Sequence, residues 1–338
     1  DSLSVKSGQL KTDVRSRVGG FQAVNESLPG AILPDEILTP GEGQVRALFV
    51  TGGNPLITMA NAGRLREALS QLELLVVTDI FLNETASLAH YVLPATTPFE
   101  RPDLPFVFPL MLGLQTKPYL QATEAVVPPV GEALDEATLY LELAQAAGTP
   151  LFGSRVAQGL MRTLQRIAGR RREFGIREVP QRLLLSLLLR LTRNGSFRGL
   201  LASPNGRSRP AATGGDFLGE RVLTEDGKVD LAPAPLLAEA ERLEAAFEAE
   251  LGRMGELRLI TKRHVKTHNS WTHNHEAFAR EGETNHVYMH PEDAARRGLA
   301  NGALADVRSK TDLIRLPVRL LPDLMPGTVA IPHGWGHQ

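Results

Sequence analysis

The chain has no cysteine among its 338 residues. This excludes structural disulfides, thiolate zinc sites and any iron–sulfur cluster carried by cysteine within these residues, and it leaves the redox compartment open. An excess of either charge is also missing. The 37 Lys and Arg face 38 Asp and Glu, and a net charge of −1 gives no overall field that would point to nucleic acid or an anionic membrane. No stretch approaches the roughly 20 apolar residues that cross a bilayer. The strongest apolar run, Leu183-Leu184-Leu185-Ser186-Leu187-Leu188-Leu189, is bounded by Arg182 and Arg190 and reads as a buried helix. The first residue is Asp1, with no initiator Met and no signal-like segment. The last residues, Ile331-Pro332-His333-Gly334-Trp335-Gly336-His337-Gln338, read as the middle of a site, so a piece of a longer polypeptide is expected.

Between Ala47 and Asp79 the sequence forms one continuous unit. The apolar run Ala47-Leu48-Phe49-Val50 breaks at Thr51-Gly52-Gly53-Asn54-Pro55, a helical stretch follows, and a second apolar run ends Leu74-Leu75-Val76-Val77-Thr78-Asp79. Gly52 and Gly53 are expected to turn with positive φ and to admit a ligand close to the backbone. Asn54 suits an N-cap and Pro55 the first helical position, which would present backbone N–H groups to an anion. Asp79 falls at the carboxyl end of the next strand, where an acidic residue can bind ribose hydroxyls. A bare structural turn is the competing reading. The strand–turn–helix–strand–Asp context favours a nucleotide site.

Residues 1–40 are loop-rich and polar and read as the end of a preceding domain. Residues 41–150 carry the strand–helix unit, a helical stretch from Glu84 and Thr85 to Ala89, a strand over His90-Tyr91-Val92-Leu93, and an amphipathic helix from Glu132 to Ala147. Alternation of this kind implies a parallel sheet with helices on its faces. Residues 151–255 form a helical and irregular connecting region: helices are expected over Arg155–Arg172, Gln181–Leu191 and Leu236–Leu251, with Arg170-Arg171-Arg172 read as a solvated helix end in preference to a phosphate site. Residues 256–338 change to short strands near Leu257–Ile260, His286–Met289, Ala303–Val307, Leu313–Val318 and Thr328–Ile331, with a short helix from Pro291 to Gly298. Many short strands in one block favour a small barrel.

Eight of the nine histidines lie after residue 263. His286 and His290 read as ordinary surface or core residues. The segment from Thr261 through Lys262, Arg263, His264, His268, Asn269 and Ser270 to Trp271 follows a strand and concentrates cations, donors and an aromatic. A metal site would use His264 with His268, or His273 with His275. An anionic ligand would use Lys262 and Arg263 for phosphate, and Asn269, Ser270 and Trp271 for a heterocycle. No HExxH arrangement is present, which disfavours a hydrolytic zinc site, and the anionic ligand is the stronger reading.

Several stretches together resemble the C-terminal half of a molybdopterin-dependent oxidoreductase of the dimethyl sulfoxide reductase and formate dehydrogenase superfamily. They are LFVTGGNPLITMAN, LLVVTDIFLNETASLAHYVLPATTPFE, TKRHVKTHNSWTHN, HPEDAARRGLANGALADVRS and MPGTVAIPHGWGH, in the order expected for that family and spanning residues 41–338 apart from a weakly matching middle. The resemblance implies an α/β architecture: a Rossmann-like parallel-sheet domain, a helical linker region, and a small double-psi-type β-barrel that seems cut short after Gln338. It implies a molybdopterin guanine dinucleotide cofactor with molybdenum. One guanosine diphosphate arm would lie on Thr51, Gly52, Gly53, Asn54, Pro55, Thr78, Asp79, Glu84 and Thr85. The other would lie on Lys262, Arg263, His268, Asn269, Ser270, Trp271, His333, Gly334, Trp335 and His337. The family loop often reads Thr-Gly-Arg where this chain has Thr261-Lys262-Arg263, a departure at Lys262.

In this superfamily the protein ligand to molybdenum, and the cysteines of a 4Fe-4S cluster where one is present, lie upstream of the matching region. No metal ligand and no catalytic residue is therefore assigned within these residues, and the segment alone is expected to be inactive. The expected partners are the upstream part of the same polypeptide and an electron-transfer subunit, with no nucleic acid and no membrane span. The leading expectation is an enzyme of formate dehydrogenase-like type, two-electron redox at molybdenum, placed in the cytoplasm with periplasmic export left open. The alternative is a non-catalytic nucleotide-binding or assembly subunit that retains the fold. A third reading is a histidine-based metalloprotein that would hold zinc or nickel.

Overall fold

The computed structural model describes residues 14–23, 27–104, 119–208, 226–253, 255–264, 267, 270–275, 277 and 284–336. They divide into two compact units. One comprises Asp1–Val76, Leu82–Tyr91 and Arg221–Gln338; the other comprises Val77–Phe81 and Val92–Glu220. The fold is mixed α/β, with a parallel sheet and a mixed sheet.

The first sheet has the order β1 (Ala47–Thr51), β2 (Leu74–Asp79), β3 (Tyr91–Pro94). Between β1 and β2 the chain passes through α2 (Pro55–Thr58) and α3 (Ala62–Ser70), and adjacent strands joined by such a helical crossover run parallel. The central strand β2 is the apolar one: Leu75 and Val77 are fully buried, as a strand covered on both faces requires. The edge strand β1 leaves Phe49 half exposed. Helix α3 starts at Asn61, left-handed with φ 58°, whose side chain accepts from the Arg64 N–H, and it buries Leu65, Ala68 and Leu69. Before β1, α1 (Leu33–Leu38) is tied to α3 by an Arg64–Asp35 ion pair of 2.5 Å. The stretch from Glu84 to Ala89, expected as a helix, is helical only as a 3-10 turn over Ala86–Leu88.

In the second unit α4 (Glu136–Ala146) starts at Asp135, whose carboxylate accepts from the Thr138 N–H at 2.9 Å and the Thr138 hydroxyl at 2.6 Å. A short ladder joins β4 (Tyr119–Leu120) to β5 (Arg207–Ser208). Helices α5 (Arg155–Ala168), α6 (Gln181–Leu191) and α7 (Phe197–Leu201) follow the expected pattern, but two details differ. Arg170-Arg171-Arg172 is not a helix end. Helix α5 stops at Gly169, Arg171 bridges antiparallel to Arg177, and Arg172 pairs with Glu178 at 3.0 Å. The leucine-rich helix is not buried either. Leu189 joins Leu104, Phe197 and Leu200 in a core, while Leu183, Leu187, Leu188 and Leu191 are exposed.

The stretch expected as one helix over Leu236–Leu251 is two, α8 (Ala234–Ala240) and α9 (Leu243–Leu251). The following strands match the sequence reading closely: β6 (Arg258–Lys262), β7 (Val287–Met289), β8 (Leu304–Arg308), β9 (Leu313–Leu320) and β10 (Thr328–Pro332). They form a five-stranded mixed sheet of order β6-β10-β7-β9-β8, with β6/β10 and β7/β9 parallel and the other pairs antiparallel. Val287, Met289, Val318 and Val329 pack with Ala294 from α10 (Pro291–Arg296) into its core. His290 is an ordinary structural histidine: its ring accepts from the Glu292 N–H and caps α10. Among the described residues no helix is long and apolar enough to cross a membrane.

Asp293, 1% exposed, fastens α10 to the sheet. Its carboxylate accepts from the Gly327 N–H at 2.6 Å and from Arg296, with Arg297 3.9 Å away. Burial pushes this carboxyl up, but the Gly327 hydrogen bond and the two guanidinium groups outweigh burial and hold it below the ordinary carboxylate range. The lowered pKa means the stabilisation is complete above the unfolded value of about 4 and lost as pH falls through the folded value. Asp293→Ala should therefore destabilise the unit by about 2 kcal/mol at neutral pH. In denaturant titrations the gap to the parent protein should close below about pH 4. A gap that stays constant through that range would contradict the assignment.

Candidate functional site

The turn after β1 is built by a buried polar clasp. Gly52 is left-handed with φ 59°, and a Cβ there would meet no atom within 4 Å, so the backbone faces open space. Gly53 is not left-handed. A Cβ there would meet only Thr51 O and Val50 Cγ1, both at 4.0 Å, so the turn does not demand glycine at this position. Asn54 occupies the N-cap position of α2, but its side chain does not cap. It reaches instead to the segment before the 3-10 turn. Its amide donates to Glu84 Oε2 at 2.6 Å, and its carbonyl accepts from the Thr85 hydroxyl at 2.8 Å and the Thr85 N–H at 3.3 Å. The Thr85 hydroxyl also accepts from the Leu56 N–H at 3.2 Å. The first N–H donor of the short helix is thus used internally, by the Thr85 hydroxyl, and is not available to an anion as the sequence reading expected. Asn83 completes the clasp, donating to the Gly53 carbonyl at 3.4 Å and accepting from the Ala86 N–H at 2.9 Å. Asn54, Asn83 and Thr85 are all buried. In the other unit, Thr78 and Asp79 are buried at the end of β2, and Asp79 Oδ1 accepts from the Phe81 N–H at 3.0 Å.

A second constellation sits where β6 and β10 end together, in parallel register with Pro332 opposite Lys262. Because the strands run the same way, the loops that follow them leave from one edge. Arg263 Nη1 lies 2.8 Å from His333 Nε2, and His273 Nδ1 lies 2.9 Å from the Gly334 carbonyl. The His273 and Trp335 rings stack with centroids 4.2 Å apart. Gly334 and Gly336 take φ of 85° and 121°, which a side chain would strain, and the buried Asn285 donates to the Pro332 carbonyl at 2.9 Å. Ser270 is buried beside Trp271, which opens a 3-10 turn through Asn274. Lys262, expected at a phosphate, has its ammonium 3.9 Å from the centroid of the Tyr288 ring. His268, Asn269 and His337 lie outside the described residues.

Among the described residues, Trp335 Nε1 and His264 Nδ1 are buried without a hydrogen-bond partner. An indole N–H can only donate, and leaving a buried donor unmet costs about 1–3 kcal/mol. The indole suits a ligand that brings an acceptor, His264 Nδ1 one that brings either role according to its tautomer, and Arg263 one that brings negative charge. The two constellations belong to the same unit, and a Cβ on Gly336 would stand 3.8 Å from Ile57 Cγ2 in α2. Among the described residues no group of three or more His, Cys, Asp or Glu is arranged to hold a metal. Sequence reasoning missed Asn83 and assigned His273 only to a possible metal pair. The Asn-Glu-Thr sequence at 83–85 and the positive-φ glycines opposite His273 were the available signals.

Two family models match the chain. The molybdopterin oxidoreductase model covers residues 13–146, and the molydopterin dinucleotide binding domain model covers residues 257–338. Biotin sulfoxide reductase of Cereibacter sphaeroides is 26% identical over 340 residues, covering 92% of this chain and 43% of that protein. Formate dehydrogenase H of Escherichia coli is 46% identical over 55 residues, covering 16% of this chain and 8% of its own length. Acetylene hydratase from Pelobacter acetylenicus shares the fold with a TM-score of 0.68 at 22% identity, over 90% of this chain and 39% of that one. The chain spans under half the length of these relatives.

The clasp generates a direct test. Thr85→Val keeps shape but removes the hydroxyl, leaving the buried Asn54 carbonyl and the Leu56 N–H each short of a partner. It should cost about 2 kcal/mol in denaturant unfolding, whereas Thr85→Ser should cost less than half of that. A valine variant as stable as the parent would show that the clasp does not hold the turn.

Proposed function

Because this chain belongs to the molybdopterin oxidoreductase family, we propose that it is the cofactor-cradling part of a molybdenum enzyme with two molybdopterin guanine dinucleotides, of formate dehydrogenase-like type. Bound molybdenum would supply two-electron chemistry, cycling between Mo(VI) and Mo(IV), while the protein binds and orients the cofactor. The observation that carries the reading is the Arg263–His333 pair, with Trp335 Nε1 and His264 Nδ1 buried and unmet nearby. Arg263 is exposed and brings positive charge, and the two buried ring nitrogens beside it lack partners among the described residues, a combination that suits a pyrophosphate and a fused heterocycle. The Gly52–Gly53 backbone would receive the other pyrophosphate, with Thr51 and Pro55 shaping that turn; Ser270, Trp271 and Gly334 would shape the barrel end. In the other unit, Thr78 and Asp79 would offer a strand end suited to a ribose or guanine. Lys262, held over Tyr288, would act on the ligand at one remove, by its field. The double-psi closure of the barrel, the upstream metal ligand and an electron-transfer subunit belong to the same proposal. Formate is favoured over S-oxides by the denser local identity to formate dehydrogenase H.

Purified full-length protein should carry molybdenum and release guanine nucleotide on hydrolysis and pterin fluorescence on oxidation. Formate should reduce an artificial acceptor in its presence. Arg263→Ala should release the cofactor about tenfold faster on dilution, the worth of one charge-assisted hydrogen bond. Turnover of S-oxides but not formate would overturn the substrate class. Protein free of molybdenum and pterin would favour the non-catalytic nucleotide-binding alternative.

A further inference from the structure

The near-neutral total hides a strongly basic stretch. From Leu151 to Arg207 the sequence holds twelve arginines, no lysine, and only Glu173 and Glu178 as acids. All of it lies in one compact unit. Arg172 is paired with Glu178 and Arg182 with Glu124, but Arg155, Arg162, Arg166 and Arg190 are exposed on α5 and α6, helices that contain no acidic residue.

The same two helices turn aliphatic side chains to solvent. On α5, Val156, Leu160 and Ile167 fall on one stripe by helical spacing and are 83%, 59% and 78% exposed. Arg155, Arg162 and Arg166 fall on a second row along its flank. On α6, Leu183, Leu187 and Leu191 repeat the pattern at 46%, 46% and 74% exposure. The end of α5 and the start of α6 line one cavity of about 370 Å³, through Ala168 and Arg170 on one side and Gln181 and Leu183 on the other. The two helices thus approach each other at these ends, the last residue of α5 and the first turn of α6.

We propose that α5 and α6 form a docking face for an anionic lipid surface, with the aliphatic stripes entering the headgroup–acyl boundary and the arginines meeting lipid phosphates. A helix with an apolar stripe, a basic flank and no acid is the form that lies in such an interface, and arginine forks match phosphate. Two other occupants fit less well. Protein interfaces concentrate energy in aromatic anchors, and neither stripe has one. Nucleic acid binding has no use for exposed valine, leucine and isoleucine and favours stacking aromatics. The surface is independent of the cofactor site and of the reaction proposed there.

The test is sedimentation of the full-length protein with vesicles of phosphatidylcholine alone or mixed with phosphatidylglycerol. Binding should require the anionic lipid and fall at least about tenfold in 1 M salt, where the Debye length shrinks to about 3 Å. Leu187→Gln with Leu191→Gln, and separately Val156→Gln with Ile167→Gln, should each lower partition by about tenfold or more. Melting of both variants should be unchanged, because the altered side chains are exposed. Failure of the full-length protein to sediment with anionic vesicles overturns the proposal and indicates that another chain segment or protein covers the stripes. Sedimentation that ignores both salt and the variants overturns it equally.

Discussion

Asn54 carries the architecture of the candidate site. A one-turn helix such as α2 has little dipole and cannot organise an anion site by itself, because the end charge grows from aligned peptides over several turns. What organises the turn is a side chain that links it to a segment about 30 residues away. Asn54 meets Glu84 and Thr85, and Thr85 returns a hydroxyl acceptor to the Leu56 N–H. Asn54, Leu56 and Thr85 are buried, so each of their hydrogen bonds left unmade would cost more than it contributes when made. That asymmetry favours a single arrangement of the loop over an ensemble. The Gly52–Gly53 backbone is consequently held open while everything behind it is satisfied.

The second constellation is organised by strand direction rather than by a side-chain clasp. Parallel pairing of β6 with β10 brings Arg263 and His333 to one edge although 70 residues separate them. His273 then holds the glycine-rich end through the Gly334 carbonyl and the Trp335 ring. Where the first constellation leaves backbone open, this one leaves buried ring nitrogens of Trp335 and His264 unmet among the described residues. Both are preorganised surfaces of opposite kind, one of backbone and one of side chains. Gly336 and Ile57 bring them near each other within one unit. The pairing is the basis for proposing a ligand with phosphates and a ring system.

Much of this was legible in the sequence because it rests on local chemistry. The glycines after an apolar strand, the Pro–Gly punctuation of α10 and the short apolar runs after Leu257 each report backbone geometry directly. The readings that failed concern partners distant in sequence. Asn54 is a capping residue by type, and only the fold shows that Thr85 claims its side chain. The leucine run has the composition of a core, yet α6 packs one narrow face and leaves the rest exposed, because core size is set by neighbouring helices. Arg170-Arg171-Arg172 looked like a helix end since helical propensity does not stop at Arg. Gly169 ends α5 there, and a Cβ on it would press within 2.1 Å of the Glu178 carbonyl oxygen.

We propose that two preorganised surfaces, the Gly52–Gly53 turn and the His333–Gly336 end, hold one cofactor system between them. Amide hydrogen exchange on the full-length protein, compared with and without its cofactor, measures this most directly. The account predicts that cofactor slows exchange in both segments together, while the amides of the β2 core, already buried, change little. Protection of neither segment, or of one with the other unaffected, would contradict it.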